Sequence, residues 1–157
     1  MYRHVLIPVD CSPESRRAAS ELARFLVPLV PCRVTLIAAT SPARSEDERR
    51  GKARHASEAV RAIRDIFAES GVYTTKRIAE GVEDGDLAAA ANQEAQRTDA
   101  VYDLILLGTH QTRQEEFDLP CAGSLADRIC ANATVPVLIL PTRRDVGRLA
   151  LAQGAIR

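Results

Sequence analysis

The chain of 157 residues has no tryptophan, one methionine and only 4% aromatic residues. No stretch approaches the roughly 18 consecutive apolar residues that a transmembrane helix needs, and the apolar run at residues 5–9 is too short for a signal peptide. Neither charge sign is in excess, because 21 basic residues balance 21 acidic ones. We therefore expect a cytoplasmic protein that neither inserts into membranes nor binds nucleic acid.

Cysteine is scarce, and its spacing does not suit a metal site. The four cysteines are Cys11, Cys32, Cys121 and Cys130. They lack the close pairs of a zinc site, so no metal is expected, and we interpret them as small, buried, reduced thiols. Cys11 and Cys121 precede predicted helices, where thiols are more reactive, and a redox switch is the alternative. We expect no Cys11–Cys121 disulfide on mild oxidation and slow reaction of Cys32 and Cys130.

What remains is an ordinary globular composition, with 46% hydrophobic and 27% charged residues. A chain of this length buries a core without disulfides. We assign residues 1–141 to one domain. Residues 142–157 form a C-terminal tail, either a short docked helix or a frayed end.

Short apolar runs alternate with helical patterns along this domain. The runs predicted as strands are residues 5–9, 34–40, 72–80, 104–107 and 135–140. The predicted helices begin at Ser12, at residue 53, at Leu87 and at Gly123, and the polar stretch 41–52 is either a loop or the start of the second helix. This alternation predicts an α/β fold with a doubly wound, five-stranded parallel sheet and helices on both faces. We take the strand order to be 3-2-1-4-5. Charges in the third strand and Pro136 in the fifth favour edge positions.

In such a sheet, ligands bind beyond the carboxyl ends of the strands where the order of connections reverses, here between strands one and four. The candidate nucleotide-binding residues are Asp10, Ser12, Thr40, Gly108, His110, Gly123 and Ser124. A carboxylate suits a ribose hydroxyl, a glycine lets the backbone approach a ligand, and a helix start binds phosphate. The alternative is purely structural: Asp10 and Ser12 cap the first helix, Gly108 relieves a turn and Ser124 caps the fourth helix.

No catalytic machinery is recognisable. His110 has no serine or cysteine nucleophile with an orienting carboxylate around it, and no glycine-rich loop ends in Gly-Lys-Ser or Gly-Lys-Thr. Asp10 stands alone, without the acidic pair of a phospho-receiver domain. We expect that the protein is not an enzyme.

Several motifs are similar to those of the universal stress protein family. The segments are His4–Ser12, Asp103–His110, Gly123–Arg128 and Val135–Ile139. The likeness runs from Arg3 to Pro141, although Cys11 stands where that family usually has glycine. It implies a stress-response or signalling module that forms a homodimer through the last strand.

The resemblance is incomplete in the phosphate loop. Members that bind ATP carry a second glycine after the one matched by Gly108, but here Gln111 occupies that place. The segment before Gly123 is also two residues longer than the family pattern, and it contains Glu115, Glu116 and Asp118. The implied cofactor is therefore weakly bound AMP or ATP.

Two hypotheses follow from this altered loop. In the first, the chain is a nucleotide-responsive, non-catalytic regulatory domain with a degenerate site. In the second, it is a nucleotide-free dimeric interaction module that docks to an unknown protein partner, such as a transporter.

Overall fold

The computed structural model describes residues 2–10, 12–29, 31–108 and 125–140. The strands are β1 (His4–Pro8), β2 (Arg33–Ala39), β3 (Thr74–Ala79), β4 (Leu104–Gly108) and β5 (Val137–Leu140). The helices are α1 (Pro13–Leu26), α2 (Glu46–Glu69), α3 (Leu87–Ala95) and α4 (Leu125–Asn132). Short 3-10 helices cover Val27–Leu29 and Glu83–Gly85.

The strands form one sheet in the order β3-β2-β1-β4-β5, and every pairing is parallel. The side chains of β1 alternate between two cores, with Val5 and Ile7 in the core that contains α1 and α2. Leu6 belongs to the other core, which contains buried residues of α3 and α4. The predicted doubly wound fold is thus confirmed, with β3 and β5 at its edges.

The start of α2 settles the alternative left open for the polar stretch. Ser45 caps the helix, its Oγ accepting a hydrogen bond from the Glu48 amide at 3.2 Å. In the next turn the Arg49 guanidinium bonds to Glu46 at 2.7 Å. Ala56 is the first buried residue of this helix. Capping and ion pairs therefore stabilise the first turns of α2, which precede its first buried residue. Apolar periodicity alone could not locate the start of this helix.

The cysteine expectations hold only in part. Cys32 is half-buried, and burial raises the pKa of its thiol, in line with slow reaction. Cys130 is exposed, so the prediction that it is buried was wrong. Its neighbour Ile129 takes the core-facing position of α4 instead. Cys11, Cys121 and the tail 142–157 lie outside the described residues, and the domain boundary at residue 141 stays a prediction.

A buried acid forms a polar cluster on the α3 side of the sheet. Glu94 of α3 is only 7% exposed, and one carboxylate oxygen accepts a hydrogen bond from the Tyr102 hydroxyl at 2.9 Å. Arg77 and Arg97 lie 3.3 and 3.5 Å from that oxygen. The Tyr102 ring in turn packs against that of His4, with centroids 4.1 Å apart. Buried charge is tolerated here because it is paired and hydrogen-bonded.

His4 makes the folding stability depend on pH. Burial, followed by the positive charge of Arg33, lowers the pKa of His4 below 6.5. The folded protein therefore binds this proton less tightly than the unfolded chain. We expect the free energy of unfolding to fall as the pH drops from about 6.5 through the folded pKa of His4.

Chemical denaturation between about pH 7 and pH 5 measures this effect. His4→Gln keeps a polar group towards Thr35, whose hydroxyl lies 2.8 Å from the His4 Nε2 atom, and should flatten the dependence. His55→Gln, on the exposed face of α2, is the matched control and should leave it unchanged. Equal slopes in the wild type and His4→Gln would contradict the assignment.

Candidate functional site

The predicted switch point lies at the carboxyl ends of β1 and β4. These neighbouring strands pair through Val5 with Leu104 and Leu6 with Ile105. From β1 the chain passes on one side to β2, while β4 lies on the other side. Both strands end at the same edge of the sheet. Asp10 follows β1 there, and Gly108 is the last residue of β4.

A small cavity lies directly beneath this edge, lined by Val9, Ser15, Gly108, Leu125 and further apolar residues of β1, α1 and α2. Its volume of about 20 Å³ is close to that of one water molecule. The cavity is therefore too small to hold a nucleotide.

Asp10 is held in place by the first turn of α1. Its Oδ1 atom accepts hydrogen bonds from the Ser12 amide at 3.0 Å and from the Ser15 hydroxyl at 2.7 Å. The Ser12 hydroxyl also donates to it. Ser12 is the N-cap of α1, since its Oγ accepts from the Ser15 amide at 3.2 Å. The capping role proposed as the alternative is thus real, and it also holds the Asp10 carboxylate at the end of the central strand.

Ser15 was missed by sequence reasoning. It is buried, yet its hydroxyl reaches Asp10. The sequence does contain a pattern that could have identified it. Ser15 comes three residues after the N-cap Ser12, which places it one turn along the helix and on the same side as the cap.

Thr40 directly follows the neighbouring strand β2 at the same edge. Its amide donates to the Ala79 carbonyl, and its own carbonyl accepts from the Val82 amide, both at 2.9 Å. The Val9 amide donates to the Ile37 carbonyl at 2.8 Å, so β1 and β2 stay paired up to this edge. Thr40 and Asp10 therefore follow adjacent, tightly paired strands.

Helix α4 is tied to α3 by two polar contacts that the sequence did not suggest. Arg128 lies 3.0 Å from the carboxylate of Asp86, which is the N-cap of α3. Farther along α3, the side-chain amide of Asn92 donates to the Ile129 carbonyl at 3.2 Å. These contacts fix the position of the helix whose start was predicted to receive phosphate.

The structure brings together Asp10, Ser12, Thr40 and Gly108 at one edge of the sheet. His110, Gly123, Ser124 and the altered loop with Gln111 lie outside the described residues. Within the described part, no group of histidine, cysteine or acidic side chains is arranged to hold a metal ion. In the same part, no helix is long and apolar enough to cross a membrane.

The sequence pattern of the universal stress protein family matches residues 1–141. The chain belongs to the universal stress protein family. The resemblance seen in its motifs is thereby confirmed. No curated protein sequence matches this universal stress protein.

Solved structures share the fold of this universal stress protein. A universal stress protein in complex with cAMP is 19% identical, with a TM-score of 0.66, and the match covers 89% of this chain and 97% of that one. One from Archaeoglobus fulgidus in complex with dAMP is 20% identical (TM-score 0.61; coverage 88% and 97%). One from Arabidopsis thaliana with AMP bound is 17% identical (TM-score 0.59; coverage 91% and 94%). At these identities the likeness establishes the fold.

Proposed function

We propose that this universal stress protein is a non-catalytic regulatory domain with a degenerate adenine-nucleotide site at the carboxyl edge of its sheet. The observation that carries the proposal is the Asp10 carboxylate, held by Ser12 and Ser15 at the switch point between β1 and β4. Structures of three proteins with the same fold contain cAMP, dAMP and AMP. Their ligands share adenine, a sugar and a single phosphate group.

Each part of such a ligand has a suitable group on this chain. The Asp10 carboxylate can accept a hydrogen bond from a ribose hydroxyl, and Gly108, without a side chain, leaves the backbone at the end of β4 accessible. In the sequence, Gly123 and Ser124 directly precede α4, and the backbone amides and a hydroxyl at such a position suit a phosphate. We expect the module to act in the cytoplasm, in stress response or signalling.

The loop sequence favours one phosphate over three. Gln111 places a side chain where ATP-binding members have a glycine, and Glu115, Glu116 and Asp118 add negative charge. Arg113 offsets only part of this charge. The outer phosphates of ATP should suffer more repulsion than the single phosphate of AMP.

The same altered loop favours the second candidate function, a nucleotide-free dimeric module that docks to a partner such as a transporter. Such a module needs neither Asp10 nor Gly108 for ligand contact. The two candidates differ in whether the purified protein binds AMP.

Titration calorimetry of AMP and ATP at fixed salt tests the site. We expect AMP to bind more tightly than ATP. A variant with Gln111→Gly and a loop two residues shorter should recover ATP affinity, because it restores the family spacing. Wild-type binding of ATP at about micromolar Kd, with no gain in the restored variant, would contradict this interpretation.

A pair of capping variants tests the location of the site. Ser12 and Ser45 both cap helices through a 3.2 Å hydrogen bond, but only Ser12 also bonds to Asp10. Ser12→Ala and Ser45→Ala should each lower the free energy of unfolding by about 1 kcal/mol. Only Ser12→Ala should weaken AMP binding, and equal effects on affinity would place the site elsewhere.

We also propose a homodimer that pairs through β5. All four residues of this edge strand, Val137–Leu140, are apolar and half-buried. The Ile105 amide donates to the Pro136 carbonyl at 2.9 Å, and Ile105 is aligned with Val137. In a parallel ladder, Val137 and Ile139 therefore direct their backbone groups away from β4. Among the described residues no further strand pairs with this apolar edge, and an edge of this kind invites a second strand.

Sedimentation of the wild type at roughly tens of micromolar should show a dimer. Ile139→Pro removes an outward amide and should yield a monomer, since the bonds from β5 to β4 stay intact. Lys76→Pro is the matched control at the other edge of the sheet and should remain dimeric. A monomeric wild type, or a dimer in Ile139→Pro, would contradict pairing through β5.

A further inference from the structure

We infer that Asp86 and Arg128 form a positioning pair. Their contact holds the start of α4, where we propose that phosphate binds, in a fixed position relative to Thr40 at the end of β2. This inference rests on the proposed function. It assigns Arg128, a residue of the family-like segment Gly123–Arg128, a role through α4 rather than in direct contact with the ligand.

Asp86 joins two helices through one carboxylate oxygen. Its Oδ1 atom accepts hydrogen bonds from the amides of Ala88 and Ala89, at 2.9 and 3.2 Å, and so caps α3. The same atom lies 3.0 Å from a guanidinium nitrogen of Arg128 on α4. The positive N-terminus of α3 and the cation of Arg128 thus share one negative charge.

Polar contacts matter in α4 because little of the helix is buried. Among its described residues, Ile129 is the buried side chain. The Ile129 carbonyl accepts a hydrogen bond from Asn92, which is 6% exposed, at 3.2 Å. Arg128 and Ile129, neighbours in sequence, are therefore both held by α3, and together they restrict sliding and rotation of α4.

The other side of Asp86 leads to the end of β2. The turn before it contains Asp84 and Gly85 with φ of 54° and 65°, a backbone shape that few side chains favour. A Cβ atom on Gly85 would lie 3.5 Å from the Ser41 amide nitrogen. The Val82 amide also donates to the Thr40 carbonyl at 2.9 Å. This packed turn connects Thr40 to Asp86, and the contact between Asp86 and Arg128 connects the turn to α4.

Arg128 is the fourth residue of α4, about one helical turn from its first residue, Leu125, so its guanidinium acts on the start of α4 from within the helix. Because its charge is matched by Asp86, the pair adds no net charge for a phosphate to feel. Loss of either partner should therefore change the position of α4, and with it affinity for the phosphate, while the nucleoside part keeps Asp10 and Thr40.

Calorimetry with AMP and with adenosine tests this separation. Asp86→Asn keeps an oxygen that can cap α3 but removes the charge that holds Arg128, and Arg128→Gln removes the other partner. For this half-exposed pair, we expect each variant to weaken AMP binding about three- to five-fold and to change adenosine binding by less than about two-fold. The double variant should lose no more than either single one.

Two further variants control for charge and for general destabilisation. Arg128→Lys keeps the cation and should retain most of the AMP affinity. Arg24→Gln breaks an ion pair in α1, 3.4 Å from Glu21, and should affect neither ligand. Unchanged AMP affinity in Asp86→Asn and Arg128→Gln would overturn the inference. So would tighter AMP binding in Asp86→Asn, because a freed Arg128 would then contact the phosphate itself.

Hydrogen exchange separates this inference from the proposed function. If the wild type binds neither AMP nor adenosine, the nucleotide proposal fails, but the amides of residues 129–132 still report on the position of α4. In the nucleotide-free protein they should exchange faster in Asp86→Asn and Arg128→Gln than in Arg24→Gln. Equal protection in all three variants would show that the pair does not position α4.

Discussion

The site depends on the burial of β1 on both faces of the sheet. Residues 5–9 are all buried, and the flanking strands β2 and β4 pair with β1 on either side. A charged side chain is costly within such a strand, because neither face offers it water. Asp10 is the first charged residue after β1, and it comes where the order of connections reverses. The burial of the strand thus determines where the proposed ligand-binding edge begins.

Capping and ligand binding are compatible at this edge. The hydrogen bonds from Ser12 and Ser15 stabilise the start of α1, and they also restrict the Asp10 carboxylate to one position. A carboxylate already oriented loses less conformational freedom when a ligand binds. The structural and functional interpretations of Asp10 therefore describe one set of contacts.

Local patterns predicted the fold well. Helix α3 begins at the predicted residue, Leu87, because alanine-rich, strongly helix-forming sequence follows the capping Asp86 directly. The alternation of apolar runs and helices predicted the doubly wound parallel sheet, and the order 3-2-1-4-5 was taken from the few arrangements that right-handed crossovers allow. The start of α2 was left open between a loop and a helix start, because ion pairs rather than apolar residues stabilise its first turns.

Contacts between residues distant in sequence could not be predicted in the same way. Glu94 and Arg77 are 17 residues apart, and Asn92 and Ile129 are 37 apart. Periodicity indicates which face of a helix is buried, but it does not name the residue on another element that satisfies a buried polar group. Cys130 was mispredicted for a similar reason. The sequence shows that it is a small apolar residue, but it does not show which side of α4 it occupies. These partners are revealed only by the positions of α3, β3 and α4 in the folded chain.

The central claim is that an adenine nucleotide binds at the carboxyl edge of β1, β2 and β4. A titration of isotopically labelled protein with AMP, followed residue by residue through the backbone amide signals in NMR, tests it most directly. The account predicts that the largest shifts fall on Asp10, Ser12, Thr40 and Gly108, and that amides at the opposite edge, such as Arg33 and Asp103, stay unchanged. Shifts centred on that opposite edge, or none at saturating AMP, would contradict it.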